Sequence, residues 1–433
     1  MGADRKRLER PPETANPLAL TPAQIHPLET QDFDRHPPGT VLQDFEALLN
    51  GVGDQGLPVT STHLLTMNVL APLNQALTHP LDLRLKRPQQ KSYPPLNGLY
   101  LLLRATGLGV VHAQRKTPRL TLDPEGLASW RSLNGTERYF ALLKAWWGRA
   151  REETIGERAF GGGEILAKTL AFIERFPTTG TLTIGTPRDA EMLRYYPGLH
   201  NLALLESFGL LEVRVRPPTE GQGWQPEWIR LSEWGQIVLG SYTQVIRHAV
   251  APESGTSLPT LGFMGHLDPL EGFESWRRLV QPHISGWRQD LEIPEPPFQP
   301  GPHVFKVALG ADCWRRMALR GDSSLAELAA TILNAFRFDH DHLYRFSYRD
   351  RFGRPVEIDS PDFLEGNPDH AFADEVAVGA LPLSQGMRIG FLYDFGDQWE
   401  FVIEIESLNS GPAIKKPQVL EKHGQAPPQY GGW

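Results

Sequence analysis

A chain of 433 residues with 40% hydrophobic and 22% charged residues has globular composition and more length than one core needs, so several domains are expected. Its single cysteine, Cys313, excludes a disulfide framework and a cysteine-based zinc site, and a formal net charge of −8 argues against a polyanion meeting the surface as a whole. No apolar run reaches membrane-spanning length and the stretch Met1–Arg7 lacks the apolar segment of a secretory signal, so membrane and export readings fail and a cytoplasmic location is expected.

Residues 1–38 are rich in proline and charge without sustained periodicity and read as an extended or disordered lead-in. A helical region with a first unit is expected over 39–150 and a second unit over 151–255. From Val41 the pattern turns helical, and Leu57-Pro-Val-Thr reads as a strand or cap. Leu96 to Ala105 reads as a helix stopped by Gly107, with Leu99, Leu102 and Leu103 at helical spacing. A similar string recurs about a hundred residues on, where Leu204-Leu-Glu-Ser-Phe-Gly-Leu210 aligns without a gap on Leu102-Leu-Arg-Ala-Thr-Gly-Leu108. After each copy come a short strand, a variable loop and a second strand: Gly109-Val-Val-His and Arg119-Leu-Thr-Leu, then Leu211-Glu-Val-Arg-Val and Trp228-Ile-Arg-Leu. An amphipathic helix that turns into a hairpin needs glycine at a left-handed exit and an apolar residue over the helix end. The order resembles tandem winged-helix domains; the rival reading is two unrelated helix–hairpin units.

Charge is distributed unevenly. Residues 81–120 carry eight Lys/Arg against one acid, Asp82, whereas residues 303–433 carry 13 against 19 acids. Arg84, Lys86, Arg87 and Lys91 precede the helix that a winged-helix unit would use for recognition, Arg115 and Lys116 fall at the expected wing tip, and Arg119 follows. These seven are the candidate nucleic-acid-binding residues, with duplex DNA as candidate partner. A solvated basic face is the plainer reading. The second copy lacks such an excess and suits packing or dimerisation.

Thr136-Glu-Arg-Tyr-Phe begins a helix whose stripe Tyr139, Phe140, Leu143, Trp146 and Trp147 reads as core. Gly161-Gly162-Gly163 is not followed by Gly-Lys-Ser/Thr, so a plain connection is expected rather than a nucleotide loop. Residues 256–302, with Ile293-Pro-Glu-Pro-Pro-Phe-Gln-Pro-Gly-Pro302, read as a proline-rich linker. Beyond it, residues 303–433 begin β-β-α-β: strands from His303 and Trp314, a helix expected to be capped by Asp322 with the stripe Leu325, Leu328, Ala329, Ile332, Leu333 and Phe336, and a strand from His342. Two further strands, Met387 to Tyr393 and Trp399 to Glu406, are joined through Asp394-Phe-Gly-Asp397, where Gly396 is expected to supply positive φ and Asp to bond local backbone.

Three strings in this last stretch, Cys313-Trp314-Arg315-Arg316, Phe338-Asp-His-Asp341-His342-Leu-Tyr344 and Tyr393-Asp394-Phe-Gly396-Asp397-Gln-Trp399-Glu400, resemble the plasmid pRiA open-reading-frame-three-like family. The resemblance implies a mobile-element passenger protein, sometimes under the label TnpR, with a small β-grasp-like α/β domain, and longer members also carry segments similar to Gly98 to Leu108 and Thr136 to Phe140. Phe401 and Ala426-Pro-Pro-Gln-Tyr430 stand where many members have histidine and cysteines, so a family metal or thiol role loses its ligands here. No clustered serine-recombinase constellation accompanies the label. Asp339 to His342 with Asp394 and Asp397 suit turn and cap duties; a metal-assisted hydrolase using Asp394, Asp397 and His342 is the chief alternative. The expected fold class is therefore an α+β multidomain chain, with a mostly helical N-terminal region of tandem winged-helix-like units and a C-terminal β-grasp-like α/β domain. The expected function is a non-enzymatic, mobile-element-associated DNA-binding or regulatory protein whose C-terminal domain binds a protein partner, without catalytic residues, metal or cofactor; a scaffold without a nucleic-acid role is the third reading.

Overall fold

The computed structural model describes residues 19–112, 118–157, 165–250, 268–295, 297–363, 371–410 and 414–430. Helices and sheets combine in a mixed α+β layout with two hydrophobic cores, one built from Leu28 to Leu291 and one from Phe305 to Ile405. Arg115, Lys116 and the Gly161-Gly162-Gly163 connection lie outside the described residues.

The first core opens with helix α1 (Pro22–Thr30), which places Leu28 in the interior, so the described part of the expected lead-in is ordered: its apolar residues, though sparse, reach the core. Helix α2 (Val41–Val52) buries Val41, Phe45, Leu48, Leu49 and Val52, the stripe that 3.6-residue periodicity dictates. Strand β1 (Leu57–Pro58), helix α3 (Met67–Gln75), helix α4 (Pro94–Ala105) and strands β2 (Gly109–His112) and β3 (Arg119–Leu122) follow, and the strands form a sheet in the order β1-β3-β2. Gly107, at φ 74°, makes the turn out of α4 that its position in the sequence demanded.

Helices α5 (Pro124–Ser132) and α6 (Gly135–Lys144) and a π-turn at Ala145–Arg149 lead to a second run in the same order: α7 (Ile165–Ile173), β4 (Thr181–Thr183), α8 (Pro187–Tyr195), α9 (Leu199–Ser207), β5 (Leu211–Val215) and β6 (Pro226–Leu231). Its sheet is ordered β4-β6-β5, and Gly209 at φ 70° ends α9 as Gly107 ends α4. The two runs pack through their third helices. A Cβ on Gly98 of α4 would lie 2.7 Å from Leu204 Cγ and 3.0 Å from the His200 carbonyl of α9, so the missing side chain is what lets the axes approach. Tyr139, Phe140, Leu143, Trp146 and Trp147 fill the centre, with Trp146 stacked on Phe208. A buried polar network closes the same region: Lys168 pairs with Glu152, Asn201 donates to Glu152 at 3.3 Å, and Trp146 Nε1 donates to Asn201 at 3.0 Å. Burial pushes the Glu152 carboxyl up, but His200 and Lys168 hold it below the usual carboxylate value.

Helices α10 (Glu233–Val250) and α11 (Pro269–Val280) complete this core. Within the linker expected over 256–302, Phe273, Trp276, Val280, Ile284, Trp287 and Leu291 are instead buried with the N-terminal helices, because α11 carries an amphipathic stripe, while the proline-rich stretch from Ile293 to Pro302 does fall between the two cores.

The second core lies under an eight-stranded sheet in the order β11-β10-β9-β12-β13-β7-β8-β14, with β7 (Pro302–Ala308), β8 (Trp314–Arg320), β9 (Tyr344–Arg349), β10 (Pro355–Asp359), β11 (Ala371–Phe372), β12 (Arg388–Tyr393), β13 (Trp399–Ser407) and β14 (Gln418–His423). Helix α12 (Leu325–Phe336) buries the expected stripe against one face. Its cap is Ser324 rather than Asp322: the Ser324 hydroxyl accepts from Glu327 N, and Glu327 reaches back to Ser324 N, leaving Asp322 to pair with Arg320.

Candidate functional site

The basic segment is built as an extended strap. Its start is pinned by the buried amide of Asn74, which exchanges hydrogen bonds with Leu81 at 3.0 Å in both directions. Its end is pinned by buried Gln90, which accepts from Leu65 N at 2.7 Å and donates to Asn97 at 2.8 Å. Between them Leu81, Leu83 and Leu85 are half-buried while Asp82, Arg84 and Lys86 are exposed, the alternation of an extended chain over a core. Gly221 N, from the β5–β6 loop of the second run, donates to the Arg84 carbonyl at 2.9 Å and fixes the middle.

The seven candidate cations divide. Lys86, Arg87 and Lys91 are exposed and make no ion pair among the described residues. Arg84 pairs with Asp82 at 2.8 Å, both exposed. Arg119 donates to the Gln55 and Gly56 carbonyls, which ties β3 to the loop before β1. Helix α4 is turned inward along its length: Leu96 to Ala105 are all buried, Arg104 included. Helix α9 is likewise buried from His200 to Leu205. Neither helix has a face free to enter a groove, a packing that apolar spacing alone did not reveal because a helix buried on all sides and one buried on one side share the leucine stripe.

The three C-terminal strings fall in two places. Arg315 is buried, its guanidinium donating to the carbonyls of Ala335, Trp314, His423 and Gly424 and lying over the Phe336 ring, so it laces β8 to α12 and β14. Trp314 stacks on His423 and also meets the Lys306 ammonium, and Arg316 pairs with Glu406 at 2.5 Å.

The other two strings meet at one end of the sheet. Asp394 takes φ 59° and its Oδ1 accepts from Gly396 N at 2.8 Å and Asp397 N at 3.3 Å; the local bonding is as expected, but positive φ falls on Asp394 and Gln398, not Gly396. His342 Nε2 lies 3.5 Å from Asp394 Oδ2 and 3.6 Å from Asp341 Oδ1. Tyr430 donates to Asp341 at 2.9 Å, and that bond holds the Asp341 carboxyl below its usual value. Tyr393 donates to the Asp339 carbonyl at 2.6 Å, and Asp339 N donates to Gln429 at 2.5 Å. Tyr344 is pushed up to about 12 by burial and by Asp374 and Asp362, and Trp399 packs edge-on to Phe338. Gln429 and Tyr430, which clamp the loop, carried no signal in the sequence because their partners stand some 90 residues away. Among the described residues no group of three or more His, Cys, Asp or Glu side chains is arranged to hold a metal ion.

These strings, now seen folded into one sheet, place the segment among known proteins. Residues 305–432 match the Plasmid pRiA4b ORF-3-like protein family. The ORF-3-like segment also resembles the Uncharacterized protein y4hQ of Sinorhizobium fredii (strain NBRC 101917 / NGR234), 32% identical over 117 residues, which are 27% of this chain. The chain spans 57% of that relative's length. A crystal structure of a protein of unknown function from Methanosarcina mazei Go1 is 19% identical, covers 31% of this chain and 74% of its own, and superposes with a TM-score of 0.27. No helix among the described residues is long and apolar enough to cross a membrane.

Proposed function

We propose that this chain is a non-enzymatic, mobile-element-associated protein that meets duplex DNA through the strap 84–91, by phosphate contacts that carry no sequence information. The observation that carries the reading is the pair of opposite exposures on one element boundary: Lys86, Arg87 and Lys91 stand free on a pinned strap, while the adjoining α4 is sealed. Cations on a rigid support bind phosphates wherever a duplex offers them, and bases are read only by elements that reach a groove. The helix-strand-helix-helix-strand-strand order, with each first strand beside the last, supports a winged-helix-like reading of both N-terminal runs. In that reading the two recognition-type helices are spent on each other and the second run serves packing. The hairpin β7–β8 followed by α12 on one sheet face is the basis for a β-grasp-like reading of the ORF-3-like segment, which we assign to a protein partner.

The test is fluorescence anisotropy of a labelled duplex across a salt series with wild type and a Lys86→Ala/Arg87→Ala/Lys91→Ala variant. Removing three phosphate contacts is expected to flatten the slope of log K against log salt by about 2 to 3. Absence of binding by wild type at low salt, or a slope unchanged in the variant, removes the DNA reading and leaves the partner-binding one.

A further inference from the structure

Guanidinium donors outnumber acceptors where the β9–β10 turn docks on the end of α4. Arg104, in the last turn of α4, is 2% exposed, and its hydrogen bond is a 3.5 Å donation from Nη2 to the Arg351 carbonyl. Its Nε and Nη1 are buried without a partner, and Arg351 Nε and His63 Nδ1 are buried without one too. Two nearby carboxylates are engaged: Asp123 caps Gly126 N and pairs with Arg351 at 3.3 Å, and Asp350 pairs with Arg354 at 2.7 Å. Burial, then Arg104 and Arg349, pushes the His63 imidazole down to about 4, in keeping with the excess of guanidinium groups around it.

We infer that this joint binds a small oxyanion of the phosphate class, held by Arg104 and Arg349, which fastens the ORF-3-like segment to the N-terminal helices. A buried water can accept from an orphaned N–H but leaves the charge in place, whereas a phosphate oxyanion offers several acceptors and neutralises it, in a geometry that matches the guanidinium fork. Entry is beside Arg349, the exposed guanidinium of the group, which donates to the Gly353 carbonyl at 2.8 Å and the Glu153 carbonyl at 3.4 Å. The turn lies tightly over Arg104, a Cβ on Gly353 being 2.9 Å from Nη2, so binding requires Asp350 to Gly353 to shift. Ligand and joint are therefore coupled. The inference is independent of the DNA reading.

The test is thermal unfolding and titration calorimetry of the full chain in sodium phosphate against sodium chloride at matched ionic strength, repeated with Arg104→Met and Arg349→Ala and with a nucleoside 5′-monophosphate. Phosphate is expected to raise Tm saturably, by about 2 °C or more at ten times its dissociation constant, with binding weakened about tenfold in Arg349→Ala. A response equal to chloride, or variants that respond as wild type does, overturns the site. Arg349 is exposed, so its variant decides the matter even where Arg104→Met fails to fold. A nucleotide as effective as phosphate assigns the phosphoryl group to a nucleotide; phosphate alone acting assigns the free ion.

Discussion

Burial pushes the Glu206 carboxyl on α9 up to about 7, against a hydrogen bond from Val213 N that lowers it. The unfolded chain ionises this carboxyl near 4.5. Below that pH both states hold the proton and nothing is lost; as pH rises toward 7 only the unfolded chain releases it, so folding stability falls across that window. The full shift corresponds to roughly 3 kcal/mol. Glu206→Gln is therefore expected to stabilise the fold by roughly 1 to 3 kcal/mol at pH 8 and by much less at pH 4.5, read from urea unfolding; an equal gain at both pH values contradicts the assignment. Individual residues were legible in the sequence where chemistry is local. Gly107 and Gly209 take the left-handed exits that Gly-Leu demanded, and Asp394 bonds the backbone just beyond it. Arg119 was not legible, because the carbonyls it serves, Gln55 and Gly56, stand more than 60 residues away.

Elements were legible by period and misread by partner. The stripes of α2, α4, α6 and α12 all face the interior, and the order of the strands after each Gly-Leu is the one periodicity indicated. What period cannot give is how many faces of a helix are covered. Gly98 is the residue on which the α4–α9 contact turns: replacing it with leucine drives a side chain into Leu204 and the His200 carbonyl. Overpacking of this kind costs about 2 kcal/mol, so Gly98→Leu is expected to shift the urea midpoint down by that equivalent without altering circular-dichroism helix content. A neutral result places the two helices farther apart than described.

Across the whole molecule, the proposed duplex contact rests on the strap, while α4 and α9 are both buried. Net charge misled in both directions: −8 concealed the exposed cations Lys86, Arg87 and Lys91, and the basic count over 81–120 included Arg104, which is buried, and Arg119, which binds the Gln55 and Gly56 carbonyls. The second core meets the first through Arg351, which donates to the Pro294 and Gly107 carbonyls, a contact between segments separated by more than 50 and 240 residues that no local pattern encodes. If α4 and α9 are spent on each other, neither of these two helices reads bases. The most direct measurement is competition: a labelled duplex bound by the full chain at low salt, displaced by unlabelled duplexes of equal length and unrelated sequence. The account predicts displacement constants equal within about twofold for every competitor, since phosphates are common to all of them. A single sequence preferred by a hundredfold or more would mean that bases are read, and would contradict the proposal that the strap meets phosphates alone.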